Sequence, residues 1–595
     1  MSKNSLANLK ADFKKKLIAF LPFVILTILL GYSIVFIANY GGSNPIEQDL
    51  ITIIPIFLTL NFALLVGLFA INLKDIWAEL KSIKRTTWIL LFFIILVAFI
   101  LRMFVVPHTH RILFDEDIYL SMGRTMLLEG RGCLCDYGTA AGKCLQCFNY
   151  KDPKGYPFIL AVTFLIFGIS ETVAFNLVTI LSIVSVLLAF LIARSLFNKD
   201  SIALFSALLI TFSPLHIIWS GTVASEPVLL FFMLLSIWIS LLYAKKNNLK
   251  MMLLLVALLA FSIQIKADGF MLLPLIAFTL IVFNTKLLEN FGKIKFFLPV
   301  LLLFFFVSGP YLIHFYTVAT TNDWEAPNDQ KFSLEYGQRN IPNNLSFLVV
   351  GEKGIEQPRI YIIFAVIGIV FSFVKYRKAF YLLASWLILF FAMYGFFFAG
   401  DVGWGSNERF ALTYYTPLVF FGGAGMYFVI TIINKKLNDF LANKKFKGKK
   451  LNGKISSRAN FIVVLISISV VISFLFVAPH VATPADKIEE AVQSRTYHDF
   501  VVSNMDKIGK DCYVFSHVPS IFLMYGKNSA QLWYADKIES NCKIYDEGYW
   551  CNVDPFRAPN SICKQMHETH TLSLLAQRKL EEYNNHTYSL YYVLK

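Results

Sequence analysis

Runs of about twenty apolar residues recur along the chain, and they constrain its fold more than any other feature. Each run is long enough to cross the hydrocarbon core of a bilayer, which is roughly 30 Å thick. Inside hydrocarbon the backbone has to satisfy its own hydrogen bonds, so runs of this kind form helices. Hydrophobic residues make up 56% of the 595 residues, above the ~45–50% typical of soluble domains. The sequence therefore predicts a polytopic α-helical membrane protein.

We predict about thirteen membrane spans from these runs. A shorter apolar run, residues 155–170, is interpreted as a re-entrant or interfacial helix that leads into the fourth span. The predicted spans are residues 17–39, 51–73, 87–107, 172–197, 201–219, 223–243, 250–265, 268–284, 296–316, 359–376, 379–399, 411–433 and 460–478.

Lysine and arginine concentrate in the segments on one side of the predicted spans. Segments 1–16, 244–250 and 434–459 lie on this side, whereas segment 40–50 on the other side has neither residue. Because positively charged loops stay in the cytoplasm, we predict a cytoplasmic N-terminus. An odd number of spans then makes the C-terminus extracytoplasmic, in the plasma or cell membrane. These loops also account for the net charge of +15, so we predict no nucleic-acid partner.

The spans and the long outer segments divide the chain into five parts. Helical and strand-like patterns alternate in the last outer segment, which predicts a small α/β domain on the outer face. The predicted parts are residues 1–86 with two N-terminal spans, 87–433 as a transmembrane module with outer loops 108–154 and 317–358, 434–459 as a basic cytoplasmic loop, 460–478 as the last span, and 479–595 as the extracytoplasmic domain.

All eight cysteines fall in predicted outer segments, four in the first loop and four in the terminal domain. Even numbers in an extracytoplasmic compartment are typical of disulfides. The first set has the spacing C-x-C…C-x-x-C, which could also hold zinc, and we favour disulfides without assigning the pairing. The two sets are Cys133, Cys135, Cys144 and Cys147, and Cys512, Cys542, Cys551 and Cys563.

Three consecutive carboxylates, Asp115, Glu116 and Asp117, follow the third predicted span. An unpaired carboxylate in hydrocarbon costs several kcal/mol, so the cluster should lie at or beyond the membrane surface. There it can meet water, a polar lipid head group or a cation. We interpret this stretch as the chemical centre, and the alternative is an ordinary acidic loop cap.

Further charged residues interrupt the apolar background at the outer ends of predicted spans. Charged groups within the depth of the membrane often line a substrate path. Each of these residues could instead extend its charged end to the membrane–water interface. If these residues lie together on one face of the membrane, their cations could hold a lipid phosphate, and a carboxylate among them could take a proton from an attacking hydroxyl. These residues are Lys151, Lys154, Glu226, Lys266, Asp268 and Arg409.

The acidic stretch resembles a motif of the GT-C glycosyltransferases, in particular of the protein O-mannosyltransferase and aminoarabinose transferase superfamily. Phe114–Tyr119, with the sequence FDEDIY and with Arg124 and Gly130 further on, is similar to the Asp-Glu motif of that family's first outer loop. Lys151–Pro157 resembles the Lys-Pro-Pro-Leu segment of the same family. There Asp152 replaces the first proline.

Later landmarks are similar to those of the family in their order and spacing. They are Ser213-Pro214, Ser225-Glu226-Pro227, Lys266-Ala267-Asp268-Gly269, and Arg409-Phe410 before Tyr415-Thr416-Pro417. The resemblance covers residues 87–433. It implies a GT-C fold with a catalytic module in this region, whereas residues 1–86 and 479–595 lie outside the shared part.

The resemblance also implies an activity. A sugar would pass from a polyprenyl- or dolichyl-phosphate donor to an acceptor hydroxyl on a protein, glycan or lipid, with inversion. Asp115 would be the catalytic base, and Glu116 would support it or bind the acceptor. The lipid phosphate or sugar would be bound by a set that comprises Lys151, Arg124, Tyr119, Lys154, Glu226, Lys266, Asp268 and Arg409.

Some GT-C enzymes use a divalent cation, and others of this branch do not. We expect no cofactor, with a cation on Asp115 and Asp117 as the weaker alternative. A transporter or lipid flippase is the competing function, but it predicts repeated halves and charges deep within spans. A third alternative is an inactive scaffold of the same fold, against which the intact Asp115 and Glu116 argue.

Overall fold

The computed structural model describes most of the chain in thirteen ranges. The predicted first span, residues 17–39, lies outside these described residues. The ranges are residues 44–112, 115–140, 142–150, 152–284, 294–319, 331–352, 355–403, 407–443, 467–476, 478–479, 489–552, 561–580 and 586–594.

Helices dominate the region up to residue 479, as the apolar runs predict. Among the described residues, six helices are long and apolar enough to cross a membrane, or seven if one bent pair is counted as a span, so the predicted total of about thirteen spans stays a prediction. The helices are α1 Asn44–Lys81, α2 Arg85–Ile100, α3 Asp115–Glu129, α4 Gly155–Phe167, α5 Glu171–Phe197, α6 Asp200–Thr211, α7 Pro214–Ser220, α8 Ser225–Lys246, α9 Leu249–Ile265, α10 Leu272–Phe283, α11 Ile294–Ala319, α12 Leu334–Val349, α13 Arg359–Lys375, α14 Arg377–Phe396, α15 Ala411–Asn443 and α16 Ser467–Phe476.

One predicted span is broken. Residues 201–219 form α6 and α7, which are bent by 57° relative to each other. The break falls at Phe212 and Ser213, directly before Pro214. Proline has no N–H to donate to the preceding turn, and its ring clashes with that turn, so it opens a new helix instead of continuing the old one.

The run that we interpret as re-entrant or interfacial, residues 155–170, forms the short helix α4. Its buried face includes Tyr156, Leu160 and Phe164. Gly155 begins the helix against the last turn of α9, where a Cβ atom would lie only 2.4 Å from the carbonyl oxygen of Gln264. This close approach places the segment before α4 beside the outer end of α9.

The terminal region forms the predicted α/β domain. Two short strand pairs precede it in the chain, β1 Thr139–Ala140 with β2 Lys143–Cys144 and β3 Gly351–Glu352 with β4 Ile355–Glu356. The strands of the domain are β5 Tyr513–Phe515, β6 Asn528–Ala530, β7 Lys543–Glu547, β8 Thr571–Leu580 and β9 His586–Leu594, and its helices are α17 Glu489–Ser503, α18 Pro519–Met524 and α19 Ile562–Thr569. The five strands form one sheet in the order β6-β5-β7-β9-β8, with parallel pairs around β5 and antiparallel pairs around β9.

The cysteines form disulfides, as favoured above. The first loop contains the disulfides Cys133–Cys147 and Cys135–Cys144. The structure thus has disulfides at these four cysteines and not the alternative zinc site. The terminal domain contains the pairs Cys512–Cys542 and Cys551–Cys563. The inner pair of the first loop frames a small hairpin of β1 Thr139–Ala140 and β2 Lys143–Cys144.

This disulfide-braced loop is the platform on which the terminal domain rests. Gly138 forms a β-bridge with Ala530, and the backbone N–H of Gln531 donates to the carbonyl of Tyr137 at 3.1 Å. Gly138 has φ +90°, and its Cα hydrogen faces the Ser529 carbonyl too closely for any side chain. Helix α18 of the same domain packs against α3. The outer domain therefore contacts the helix that carries the acidic motif.

A buried carboxyl group makes the stability of the terminal domain pH-dependent. Asp546 on β7 accepts hydrogen bonds from Ser516, at 2.6 Å, and from Tyr497. Burial raises the pKa of Asp546 to about 7, although these hydrogen bonds act in the opposite direction. The folded domain thus keeps a proton that the unfolded chain loses near pH 4. Stability should fall as the pH rises from about 4 to 7 and remain low above that.

We predict that Asp546→Asn removes this dependence, because an amide does not titrate. The measurement is hydrogen–deuterium exchange of peptides covering β7 in the full chain, corrected for intrinsic rates. In the parent protein, the corrected exchange rate that results from opening of the domain should be at least ~10-fold greater at pH 8 than at pH 5. In Asp546→Asn the rates at the two pH values should be nearly equal. Asp536→Asn, at a side chain that is 82% exposed, is the control and should behave like the parent. Equal pH dependence in both variants would contradict the prediction.

Candidate functional site

Helix α3 begins at Asp115, so the three carboxylates of the motif occupy its first turn. Acidic side chains are favourable there because the N-terminus of a helix carries partial positive charge. Successive residues of a helix point about 100° apart, so the three carboxylates face different neighbours. The helix phase therefore decides which of them is exposed at this end of the bundle.

Glu116 is turned inward and is fully buried. One of its oxygens accepts from the backbone N–H groups of Arg111, at 2.9 Å, and Ile112, at 3.2 Å. The other accepts from the N–H of Val223 at 2.9 Å and lies 3.0 Å from Nδ1 of His110. Glu116 therefore ties α3 to the loops before it and before α8. Both oxygens are committed to the protein, which favours the first of the two roles expected for Glu116, support of Asp115, over binding of the acceptor. Its role stays a prediction.

Asp115 faces the opposite way and is the most exposed carboxylate of the site, at 32% of its side chain. Its Oδ2 forms an ion pair with Nη2 of Arg409 at 3.0 Å. Among the described residues no hydrogen bond reaches Oδ1. The pair orients the carboxylate and leaves one oxygen open to a ligand.

Glu226 is the hub of the charged network. Its Oε1 lies 2.8 Å from Nε of Arg409 and 2.9 Å from Nζ of Lys266, and its side chain is only 2% exposed. Lys266 also pairs with Asp268 at 2.8 Å. The continuous chain Asp115–Arg409–Glu226–Lys266–Asp268, which we call the ionic network, contains three acids and two bases.

Aromatic residues support the ionic network from one side. Phe410 lies under both cations, with its ring centre 4.4 Å from Nζ of Lys266 and 5.1 Å from the guanidinium carbon of Arg409. Tyr394 stacks on Phe410 with centroids 4.7 Å apart and donates a 2.5 Å hydrogen bond to Asp268. Contacts between cations and ring faces stabilise buried charge and fix the positions of both cations.

Each member of the ionic network comes from a different segment at one end of the helical bundle. Asp115 begins α3, Glu226 lies in the first turn of α8, and Lys266 ends α9. Asp268 lies in the 3₁₀ turn Ala267–Met271, and Arg409 in the 3₁₀ turn Asn407–Phe410. The five residues thus lie together at one end of the bundle, and that this end faces outward stays a prediction. Their chemical roles remain predictions.

Tyr119 lies next to the network. It accepts a hydrogen bond from Ser225 at 3.3 Å, one residue before Glu226, and its ring meets Tyr156 edge-on at 5.2 Å. Tyr156 in turn donates to the carbonyl of Val223 at 2.8 Å. Tyr119 is buried, so it forms the floor of the site.

Two predicted residues, Lys154 and Arg124, lie apart from the network. Lys154 is buried and donates to the carbonyls of Tyr150 and Asp152, so it stabilises its own loop. Arg124 lies nine positions after Asp115, about 180° around α3 at 100° per residue, and therefore faces away. Lys151 lies outside the described residues.

Asp117 also faces away from Asp115. It lies near His110, His498 and Glu171, and burial raises its pKa although the two histidines oppose the shift. The two carboxylates of the alternative cation site thus lie on opposite sides of α3. The pair Asp115 and Asp117 does not form a joint ligand set.

The sequence-based interpretation missed a second cluster, behind α3. His110, Glu171 and His498 are all buried, and one ligand atom of each lies within 4.8 Å of the others. The three residues are 61 and 327 positions apart along the chain, so no spacing pattern could have indicated them. Their identities as two histidines and one glutamate were the available signal.

The comparisons with known proteins bear on the fold. The structure is similar to the crystal structure of ArnT from Cupriavidus metallidurans bound to undecaprenyl phosphate. The TM-score is 0.52 and the identity 14%, over 86% of this chain and 98% of that chain. The chain has a GT-C fold. The resemblance read from the acidic motif and the later landmarks is therefore confirmed at the level of the fold.

Other comparisons give a similar picture for this GT-C protein. The apo structure of the same ArnT aligns with a TM-score of 0.52 and 14% identity, over 85% of this chain and 98% of that one. A sequence profile described as dolichyl-phosphate-mannose-protein mannosyltransferase matches residues 151–314. This range contains Glu226, Lys266 and Asp268 but neither Asp115 nor Arg409. The comparison with curated proteins found no match.

Proposed function

We propose that this GT-C protein is a membrane glycosyltransferase that uses a polyprenyl- or dolichyl-phosphate sugar as donor. It transfers a hexosyl or pentosyl group to an acceptor hydroxyl at the outer face, with inversion at the anomeric carbon. The acceptor belongs to a protein, a glycan or a lipid. The ionic network carries the proposal, because it holds a reachable carboxylate beside two fixed cations at one end of the bundle. The shared fold with an ArnT that binds undecaprenyl phosphate supports the choice of donor.

Asp115 is the proposed general base. Its open Oδ1 takes the proton of the acceptor hydroxyl while the acceptor oxygen forms a bond to the anomeric carbon. The bond from that carbon to the phosphate oxygen breaks, and the lipid phosphate leaves with the electron pair. A single displacement of this kind inverts the anomeric centre. The ion pair with Arg409 fixes the direction in which Oδ1 points.

Charge balance indicates that the lipid phosphate needs one more cation than the network supplies. Three carboxylates and two cations leave a net charge of −1, which alone does not attract an anion. Lys151, four residues before Gly155, is the cation that the family resemblance assigns to this role. Its neighbour Asp152 interacts electrostatically with Tyr119 and with Tyr311, and Gly155 packs on the end of α9, next to Lys266. We therefore propose that Lys151 completes the phosphate site together with Arg409 and Lys266.

The same network does not fit a divalent cation. Arg409 lies between Asp115 and Glu226, and Lys266 lies between Glu226 and Asp268. The positions where a metal ion would bridge carboxylates are thus taken by protein cations. We propose that transfer requires no metal in the network, and no step is assigned to one.

Lys151→Ala should weaken donor binding as well as turnover, because it removes a charge that contacts the phosphate in both the ground and the transition state. Charge-assisted hydrogen bonds contribute about 1.5–3 kcal/mol, so a ~10–100-fold loss of affinity is expected. The measurement is binding of a fluorescent short-chain polyprenyl-phosphate sugar. Lys143→Ala, an exposed lysine of the same loop, is the control. Unchanged donor affinity in Lys151→Ala would remove Lys151 from the site.

We propose that the network and residues 479–595 face the outside, with the N-terminus in the cytoplasm. After reduction, a membrane-impermeant thiol reagent should label Cys512, Cys542, Cys551 or Cys563 in intact cells. An added cysteine at exposed Lys199, between α5 and α6, is the matched control. It should react only after permeabilisation. The reverse pattern would overturn the orientation.

A further inference from the structure

We infer that His110, Glu171 and His498 form a site for a divalent transition metal, with Zn²⁺ as the ion that suits these ligands best. The site lies behind α3, away from the ionic network, and it does not rest on the proposed transferase activity. Zinc binds imidazole nitrogen and carboxylate oxygen at ~2.0–2.2 Å, and three protein ligands with one open position are a known arrangement.

The distances suit such an ion. In a tetrahedral site with bonds of ~2.1 Å, ligand atoms lie about 3.4 Å apart. Nε2 of His498 lies 2.9 Å from Oε1 of Glu171, and Nε2 of His110 lies 3.8 Å from Oε2 of the same carboxylate. The two imidazole rings are 4.6 Å apart. These two distances involve different oxygens of Glu171. One ligand atom from each of the three residues lies within 4.8 Å of the other two, so small side-chain adjustments would bring three ligand atoms to one centre.

The surrounding groups orient these ligands as groups around metal sites commonly do. Nδ1 of His110 lies 3.0 Å from the Glu116 carboxylate, which would accept its proton and direct Nε2 towards the cluster. Tyr525 donates a 2.8 Å hydrogen bond to Oε2 of Glu171. Histidine ligands usually donate their second N–H to a carboxylate or a carbonyl, and that partner fixes both the tautomer and the ring orientation.

A buried histidine without a satisfactory hydrogen bond also points to a missing ligand. His110 is 5% exposed, and within the described residues its Nε2 makes no hydrogen bond, since the Glu171 carboxylate lies 3.8 Å away. It also contacts two carboxylates in a buried place, those of Glu116 and Glu171. A divalent cation would satisfy Nε2 and would balance both negative charges at once.

The site would join three parts of the protein. His110 belongs to the loop before α3, Glu171 begins α5, and His498 lies on α17 of the terminal domain. A metal here would fasten the terminal domain to the helical bundle. Through Glu116 it would also fix the start of α3, which carries Asp115.

A second trio in the terminal domain does not compete for the assignment. His517 lies near Cys551 and Cys563, with its Nε2 3.4 Å from Sγ of Cys563. Those two cysteines form a disulfide, so their sulfurs are not available as thiolate ligands. Sulfur coordination is therefore not expected in the oxidised protein.

The test is metal analysis of the full-length chain, purified without a histidine tag, stripped with a chelator and then dialysed against Zn²⁺. Elemental mass spectrometry should find about one tightly held zinc per chain. His110→Gln and His498→Gln should each retain less than about a tenth of it. His567→Gln, at a terminal-domain histidine whose side chain is 43% exposed, is the matched control and should retain all of it.

A second measurement uses the parent protein and so does not depend on the variants folding. Loading with Co²⁺ should give the visible d–d bands of a four- or five-coordinate ion with nitrogen and oxygen ligands. The absence of these bands together with negligible zinc would overturn the inference and leave a metal-free His–Glu–His ion pair. Stoichiometric zinc that persists in both His→Gln variants would place the metal elsewhere and overturn it equally.

Discussion

Asp115→Asn is expected to slow sugar transfer by at least ~10²-fold, the lower end of what a positioned acid–base group contributes. Asparagine keeps the shape of the side chain, and its carbonyl oxygen can still accept from Arg409, but it cannot take a proton from the acceptor. Donor binding should stay close to that of the parent, since the base acts in the transition state. The assay is transfer from a short-chain polyprenyl-phosphate sugar to an extract of the host's outer-surface acceptors.

The control for this variant is Glu129→Gln, the same acid-to-amide change at the far end of α3. Glu129 accepts from the backbone N–H of Cys144 at 2.9 Å and takes no part in the ionic network, so turnover should remain near that of the parent. Near-parent turnover in Asp115→Asn would show that Asp115 is not the base. If amide variants of Glu226 and Asp268 also kept near-parent turnover, the ionic network would not be the catalytic site. Absence of sugar transfer in the parent protein itself would make a transporter the better explanation.

The helical architecture was predictable because each span has to be apolar over its whole length. The outer ends of spans were predictable for a related reason, since a charge at membrane depth is costly and stands out. This is why each of the residues Glu226, Lys266, Asp268 and Arg409 could be identified from the sequence as a candidate site residue. Their joining into one network depends on how the helices pack, and no local pattern encodes that.

The roles of neighbouring carboxylates depended on information that the sequence does not carry directly. Asp115 and Glu116 differ by a rotation of only about 100°, yet one is partly exposed and the other accepts from three backbone N–H groups. The point at which α3 begins sets this phase. The position of Arg124 was predictable in one respect. If residues 115–129 are assumed to be helical, its spacing of nine residues from Asp115 is enough to assign it to the opposite face of α3 from Asp115.

Long-range pairs were the least predictable. Four cysteines allow three pairings, and the nested pairing of the first loop is fixed by its hairpin. The platform between that loop and the terminal domain, and the cluster of His110, Glu171 and His498, join segments that are hundreds of residues apart. Such contacts follow from domain docking, for which one sequence offers no periodic signal.

Glu226→Gln is expected to be among the most destabilising single changes in the site, at about 3–5 kcal/mol, the usual cost of breaking a buried ion pair from one side. Both cations contact the same Glu226 oxygen, so Arg409 and Lys266 lie close together and would face each other across a neutral amide. The measurement is the free energy of unfolding in mixed detergent and SDS micelles, followed by circular dichroism. Glu568→Gln, in an exposed pair with Lys564, is the control and should change stability by less than about 0.5 kcal/mol.

A double variant separates repulsion between the cations from simple loss of a hydrogen bond. Glu226→Gln combined with Lys266→Met removes one acid and one base, and it leaves the pair of Arg409 with Asp115 intact. If repulsion dominates, the double variant should be more stable than Glu226→Gln alone, because the residues are in contact and their effects are not additive. Additive losses would instead mean that each ion pair contributes separately. Glu226 would then not be the hub that holds Arg409 in position beside Asp115.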